Sequence, residues 1–119
     1  MATHNELGEK GEKLAVEFLQ KKGYKILDCN WRYKKAEVDI IAQKNDVLAV
    51  VEVKTRSSNY FGNPQDFINQ KKIQLLVEAI NEYVISKDLD VEVRFDIVAI
   101  LKNQQAFKIE HLEDAFLYF

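Results

Sequence analysis

The sequence predicts a single α/β domain in which a mixed sheet lies between helices, with the element order α-β-β-β-α-β-β. Three observations carry that prediction. Residues 38–42 and 47–53 are short apolar runs rich in β-branched side chains, too dense for an amphipathic helix, and the polar break between them contains Asn45-Asp46. Residues 6–22 and 63–86 instead carry apolar side chains at helical spacing. Residues 91–101 are apolar apart from Glu92, Arg94 and Asp96, as in a strand covered on both faces. Tight turns make an antiparallel start, and a helical crossover then adds a parallel strand. The 119 residues are enough for one sheet with helices packed on it, so one domain spans 1–119.

The first helix, residues 6–22, is closed by Gly23, and Leu7, Gly11, Leu14, Ala15, Phe18 and Leu19 form its buried stripe. Glu6, Glu9 and Glu17 fall away from that stripe, whereas Glu12 sits at its edge, either reaching water or aimed at something. Residues 24–28 read as the first strand, with Ile26 buried, and residues 29–35 as a link that interleaves aromatic and basic side chains. Trp31 in that link reads as a core or lid residue rather than a platform for bases. Between the two β-branched runs, Asn45-Asp46 suits a type I′ turn, whose two central residues both need φ > 0.

Residues 55–63 form a polar loop beginning beside Lys54. Asn63-Pro64 reads as the N-cap and first residue of a long helix to about Ser86, with Phe67, Ile68, Leu75, Leu76, Ala79, Ile80 and Tyr83 inward. In the following strand Arg94 and Asp96 share a face and form a structural pair. Residues 106–112 make a last strand and residues 113–119 a short helix or tail. The run Phe116, Leu117, Tyr118, Phe119 must bury against its own domain or a second copy, which leaves a homodimer open.

The hairpin carries the chemistry. A two-residue turn sets Lys44 opposite Val47, Asp39 opposite Glu52 and Glu37 opposite Lys54. Period-two alternation then gathers Asp39, Glu52 and Lys54 on one face and sends Val38, Ile40, Ala49, Val51 and Val53 to the other. Two opposed carboxylates repel, so such a pair either holds a proton or takes a cation between its members. A hard divalent ion with oxygen ligands, Mg²⁺ or Mn²⁺, suits them. Lys54 on the same face could orient a water or stabilise charge developing on a phosphoryl group. A solvated strand face on which the three charges balance one another fits the same spacing.

Asp39, then Glu52-Val53-Lys54 at the end of an apolar strand, resembles the PD-(D/E)xK nuclease signature. Pieces of a wider pattern run nearly end to end: Gly8, Gly11-Glu12, Gly23-Tyr24, Asn30-Trp31-Arg32, Glu37 to Ala42, Val51 to Arg56, Phe61-Gly62, Arg94-Phe95-Asp96 and Ala115-Phe116. That pattern resembles the YraN-like family of small bacterial proteins, which are similar to archaeal Holliday-junction resolvases. Ala36 stands where the family usually has Gly, and Val38 replaces the signature's proline. The resemblance implies a restriction-endonuclease-like three-layer α/β/α fold and a metal-dependent endonuclease acting on DNA, including branched or structured forms. It implies that Asp39 and Glu52 hold the ion, with the Val53 carbonyl as a further ligand and Glu12 completing the site, and that Lys54 positions the water. A basic residue on the second helix, Lys71 or Lys72, also belongs to the pattern. The alternative is a nucleic-acid-binding module of the same fold that does not cut.

Charge distribution suits that substrate better than the net charge of −2 does. Residues 20–72 hold eleven Lys or Arg against six acids, among them Arg32, Lys34, Lys35, Arg56, Lys71 and Lys72, while both flanking segments are acidic. A basic centre around an acidic metal site is what a phosphodiester needs, and Arg32, Lys34 and Lys35 are candidates for phosphate contacts. One cysteine, Cys29, leaves no internal disulfide and makes a reducing cytoplasm the default. His4 and His111 lie near opposite ends and argue poorly for zinc. No apolar run reaches transmembrane length, and the polar start lacks the apolar core of a signal peptide.

Overall fold

A computed structural model describes residues 4–57, 69–103 and 106–115. The elements are α1 (His4–Lys21), β1 (Lys25–Tyr33), β2 (Ala36–Lys44), β3 (Val47–Arg56), α2 (Gln70–Ser86), β4 (Glu92–Asn103) and β5 (Ala106–Leu112), in the order expected. The five strands form one mixed sheet in sequence order. β1, β2 and β3 are antiparallel neighbours, β3 and β4 run parallel, and β5 returns antiparallel to β4.

The helices cover opposite faces. On one, Ala15 and Leu19 of α1 pack on Ile40, Ala42, Ala49, Val51, Val98 and Ile100. On the other, Ile73, Leu76, Ile80 and Tyr83 of α2 pack on Ile41, Leu48, Val50, Phe95 and Ile97. β3 and β4 lie inside the sheet and feed both cores with alternate residues, hence their nearly continuous apolar sequence. Each fully buried aliphatic side chain contributes on the order of 1.5–3 kcal/mol. Among the described residues, no helix is long and apolar enough to cross a membrane.

Both helices stop by the same device. The Tyr24 amide donates to the Leu19 carbonyl and the Gly23 amide to Gln20, with Gly23 at φ 96°. At the end of α2, Leu89 donates to Val84 and Asp88 to Ile85, with Asp88 at φ 52°. A left-handed residue lets the chain turn back onto the last free carbonyls.

Several expectations differ from the structure. β1 does not end at residue 28: it continues to Tyr33, and Lys34-Lys35 form the turn into β2. The extension is driven by Trp31 and Tyr33, which stack on each other at 7° on the α2 side, with Trp31 edge-on to Tyr83 at 5.1 Å. Trp31, expected to be a core or lid residue, is half-buried and packs against the α2-side core. Ile26 is only half-buried, beside an irregularity in the β1–β2 register between Ile26 and Asp28. In the β2–β3 turn Asn45 has φ 55° but Asp46 is not left-handed, so the turn lacks the second positive φ of type I′.

α2 starts later than expected. Asn69 is extended, and its side chain caps the helix by accepting the Lys72 amide at 2.8 Å. The polar loop expected over 55–63 does not begin at Thr55, because Thr55 and Arg56 continue β3 in its parallel pairing with Ile100 and Leu101. The rest of that loop from 58, the expected cap at Asn63-Pro64, the inward Phe67 and Ile68 and the tail run 116–119 lie outside the described residues. Glu113 and Asp114 form a turn.

The Arg94–Asp96 pair is structural, as expected. Arg94 donates to both carboxylate oxygens of Asp96 at 2.9 and 2.8 Å, and Asp96 also accepts the Asp114 amide at 3.0 Å. His111 bridges Asp96 Oδ2 at 2.9 Å and Lys22 Nζ at 2.7 Å. The ammonium can only donate, so Nδ1 accepts and Nε2 carries the proton given to Asp96. Burial would push the Asp96 carboxyl up, but hydrogen bonds from His111, Arg94 and the Asp114 amide outweigh it and hold the pKa below the usual range. This network ties α1, β4 and β5 together.

Midway along α1, Gly11 lies against β3 so closely that a Cβ there would collide with the Thr55 side chain. That contact sets the depth at which the neighbouring Glu12 meets the sheet. Replacing a mid-helix glycine by alanine ordinarily stabilises by roughly 1 kcal/mol. Gly11→Ala should instead lower the melting temperature, because overpacking costs about 1–3 kcal/mol, and adding Thr55→Ala should recover part of the loss. A single variant that melts above wild type would mean that α1 does not sit this close to β3.

Candidate functional site

The site forms where β2 leaves the sheet's regular pairing. The β2–β3 register is as expected from Lys44↔Val47 to Ile40↔Val51 and stops there, so Asp39 and Glu52 are not ladder partners. Asp39 is also missing from the pairing with β1, between Ile40↔Cys29 and Val38↔Trp31. Val38 consequently turns to the α2 core while Ile40 faces the α1 core, where uniform alternation had placed both on one side. The Val53 amide, with no backbone acceptor on β2, donates to the Asp39 carboxylate at 2.8 Å.

Two clefts meet at Asp39. One, of about 400 Å³, lies against α1 and is lined by Glu9, Glu12, Val53, Lys54, Thr55 and Arg56 besides Asp39. The other, of about 440 Å³, lies against α2 and is lined by Lys35, Glu37, Glu52, Lys72 and Leu75 besides Asp39. Glu52 is only 7% exposed. Its Oε1 accepts Lys72 Nζ at 2.8 Å and has Lys54 Nζ at 3.5 Å. Lys54 is there because it follows Glu52 by two residues on one strand face. Lys72 is there because the Asn69 cap begins α2 beside the cleft. Lys71 is exposed on the same turn, so Lys72 is the helix lysine at the site.

The carboxylates are not equivalent. Burial, then the Glu52 charge, raises the Asp39 pKa to about 7; the Val53 amide and Lys72 oppose the shift, and Glu12 adds to it. Glu12 is raised mainly by burial and next by Glu37, and its Oε1 is buried with no hydrogen-bond partner. The Asn30 side chain, which lines a cleft together with Glu12, partly offsets that shift. Asn30 is the residue that motif reasoning missed as part of the site; it sits within β1 at φ 52°, which asparagine tolerates better than most. The Cys29 thiol is pushed up by burial and by Glu12, which disfavours a nucleophilic thiolate.

The other basic candidates divide. Lys35 and Arg56 line the two clefts. Arg32 is largely exposed and pairs with Glu37 at 3.0 Å, so Glu37 answers to β1 rather than standing opposite Lys54. Lys34 pairs with Glu78 at 3.0 Å on the surface. Among the described residues, no three His, Cys, Asp or Glu side chains gather into an all-protein metal cage. Two neighbouring carboxylates that leave the remaining positions to water nonetheless fit a hard divalent cation such as Mg²⁺.

A pH dependence follows from Asp39. It keeps its proton to about pH 7 when folded, against an ordinary value of 3.8. Between those values folding takes up a proton, so stability falls as pH rises through the window and the loss is complete above it. Asp39→Asn keeps an acceptor for the Val53 amide but cannot ionise. In EDTA, its melting temperature should exceed that of wild type at pH 8 and converge with it near pH 4. An asparagine variant less stable than wild type at pH 8 would contradict the raised pKa.

The family described as "Uncharacterised protein family UPF0102" matches residues 11–100, a span that contains Glu12, Asp39, Glu52, Lys54 and Lys72. A UPF0102 protein of Flavobacterium psychrophilum is 66% identical over 119 residues, covering 100% of both chains. One from Parabacteroides distasonis is 47% identical over 116 residues, 98% of this chain and 96% of its own. Another, from Alkaliphilus oremlandii, is 42% identical over 116 residues, 95% of this chain and 99% of its own. With matches of this extent, the chain belongs to the uncharacterised protein family UPF0102.

Proposed function

We propose that the protein is a metal-dependent endonuclease that hydrolyses phosphodiester bonds in DNA, branched or structured forms included. One observation carries the reading: Asp39 and Glu52 neighbour each other where two clefts meet, with Lys54 and Lys72 against Glu52. The mixed sheet between two helices is compatible with the restriction-endonuclease-like architecture, and the spacing of Asp39, Glu52 and Lys54 resembles the PD-(D/E)xK signature.

Asp39 and Glu52 would hold Mg²⁺ or Mn²⁺, with the Val53 carbonyl as a further oxygen donor and Glu12 in support from α1. When bound, the ion supplies polarisation of a phosphoryl oxygen and a lowered pKa for a coordinated water. The raised pKa of Asp39 accords with this role, since a carboxylate with a poorly compensated charge gains most from a cation. Lys54, held at the cleft by β3, orients the attacking water and offsets charge gathering on the phosphate. Lys35 and Arg56, one on each cleft, would steady the flanking phosphates without reading sequence.

With Mg²⁺ or Mn²⁺, the purified protein should nick at least one of duplex, flap, single-stranded and four-way DNA. Lys54→Ala should lose cutting by at least about 10²-fold, the scale of removing a group that stabilises developing charge, while DNA binding persists and weakens steeply with salt. A panel in which every DNA is bound and left intact would replace this reading with a binding module that does not cut.

The ion can be tested without the right substrate. Mn²⁺ should raise the melting temperature of wild type by mass action, as RT ln(1 + [L]/Kd) for a ligand that binds only the folded state. Asp39→Asn should gain much less across the same titration. Equal shifts in both proteins would remove Asp39 from any ion site.

A further inference from the structure

We propose that Lys72 is the resident counter-cation of Glu52 and gives up that place to the divalent ion, so that ion binding releases an ammonium for the substrate phosphate. The proposal rests on the metal-dependent reading above and adds to it a coupling between ion and polyanion. Glu52 is nearly buried, and a buried carboxylate must be paired. Its Oε1 meets that need twice over, with Lys72 Nζ at 2.8 Å and Lys54 Nζ at 3.5 Å. An ion shared by Asp39 and Glu52 would compete with Lys72 for the charge of the Glu52 carboxylate and would set two positive charges beside both ammoniums. That repulsion favours the departure of one lysine.

Exposure and attachment decide which. The Lys54 side chain is 20% exposed and springs from β3, where its own residue pairs with Ala99 of β4. The Lys72 side chain is 38% exposed and springs from the first turn of α2 at the rim of the cleft. Its flexible four-carbon stem can swing outward without disturbing backbone pairing. The same cleft wall carries Lys35, so a phosphate drawn to the ion would lie between two basic side chains. Because coupling is reciprocal, the nucleic acid must in turn tighten the ion. A clamp that merely pinned α2 to β3 would create no such coupling.

The experiment compares wild type, Lys72→Met, Lys72→Gln and Lys71→Met at one pH, after circular dichroism confirms that each is folded. The glutamine variant keeps a hydrogen-bond donor without the charge and stands in if methionine at position 72 does not fold. Mn²⁺ affinity is measured by calorimetry without DNA. Affinity for a four-way DNA is measured by fluorescence anisotropy with EDTA and with Ca²⁺, another oxygen-seeking ion, and gels check that the DNA stays intact. The position-72 variants should bind Mn²⁺ at least about fivefold more tightly than wild type, the lower end of ordinary coupling. They should also lose most of the gain in DNA affinity that Ca²⁺ gives wild type, while Lys71→Met keeps the wild-type Mn²⁺ affinity and the wild-type Ca²⁺ gain. Mn²⁺ binding no tighter in the variants, or an equal Ca²⁺ gain in all four proteins, overturns the exchange. Wild type that takes up no Mn²⁺ overturns the metal-dependent reading itself and the exchange with it, and calorimetry tells these failures apart.

Discussion

The Asp39 carboxylate takes the Val53 amide that the β2–β3 ladder leaves behind, and the geometry of the site depends on this hydrogen bond. A strand interior cannot abandon a backbone donor without cost, so β2 can diverge from β3 only if something replaces its carbonyl. The Asp39 side chain does so. The divergence opens space on both faces of the sheet, and the carboxylate that fills the gap is brought within the influence of Glu52 and Glu12. One side chain thus terminates a ladder and begins a site.

Two aspartates of the same sheet illustrate how environment divides structural from functional charge. Asp96 accepts from Arg94, His111 and the Asp114 amide, and its pKa is lowered even though its side chain is fully buried. Asp39 accepts the Val53 amide, but burial and then the charges of Glu52 and Glu12 outweigh it, and its pKa rises. The first arrangement fastens α1, β4 and β5 around a satisfied anion. The second leaves an anion whose compensation is incomplete, the kind of perturbation that concentrates at functional sites. The Asp96 network lies on the α1 face with Tyr24 and Lys22, toward the C-terminal end of that helix. Gly11 and Glu12 meet β3 nearer its N-terminal end. α1 is therefore held along its length, which fixes the depth of Glu12.

Much of this architecture is written locally. Period-two and helical patterning specify seven elements in order, and the parallel step from β3 to β4 follows from the helix between them. Lys44↔Val47 pairing follows from the turn position alone, and β5 begins and ends where its residues predict. Glu52 and Lys54 share a face because strand geometry leaves no choice. Local signals were weaker where two outcomes cost nearly the same. Residues 29–33 alternate polar and aromatic side chains, which suits a link as well as a strand. Packing of Trp31 on Tyr83, distant in sequence, makes them strand.

By itself, then, the sequence determined the fold class, the β2–β3 register up to Ile40 and the carboxylates and lysines available for chemistry. Patterning and turn chemistry act between near neighbours and can be read without coordinates. Only the tertiary structure decided that β2 departs from both neighbours at Asp39, that Val38 crosses to the α2 core, and that Lys72 rather than Lys71 reaches Glu52. It also decided that Asn30 stands beside Glu12. Each depends on where a helix lies against the sheet or where a strand loses a partner. Those positions follow from summed packing across the whole chain, which no short stretch of sequence contains.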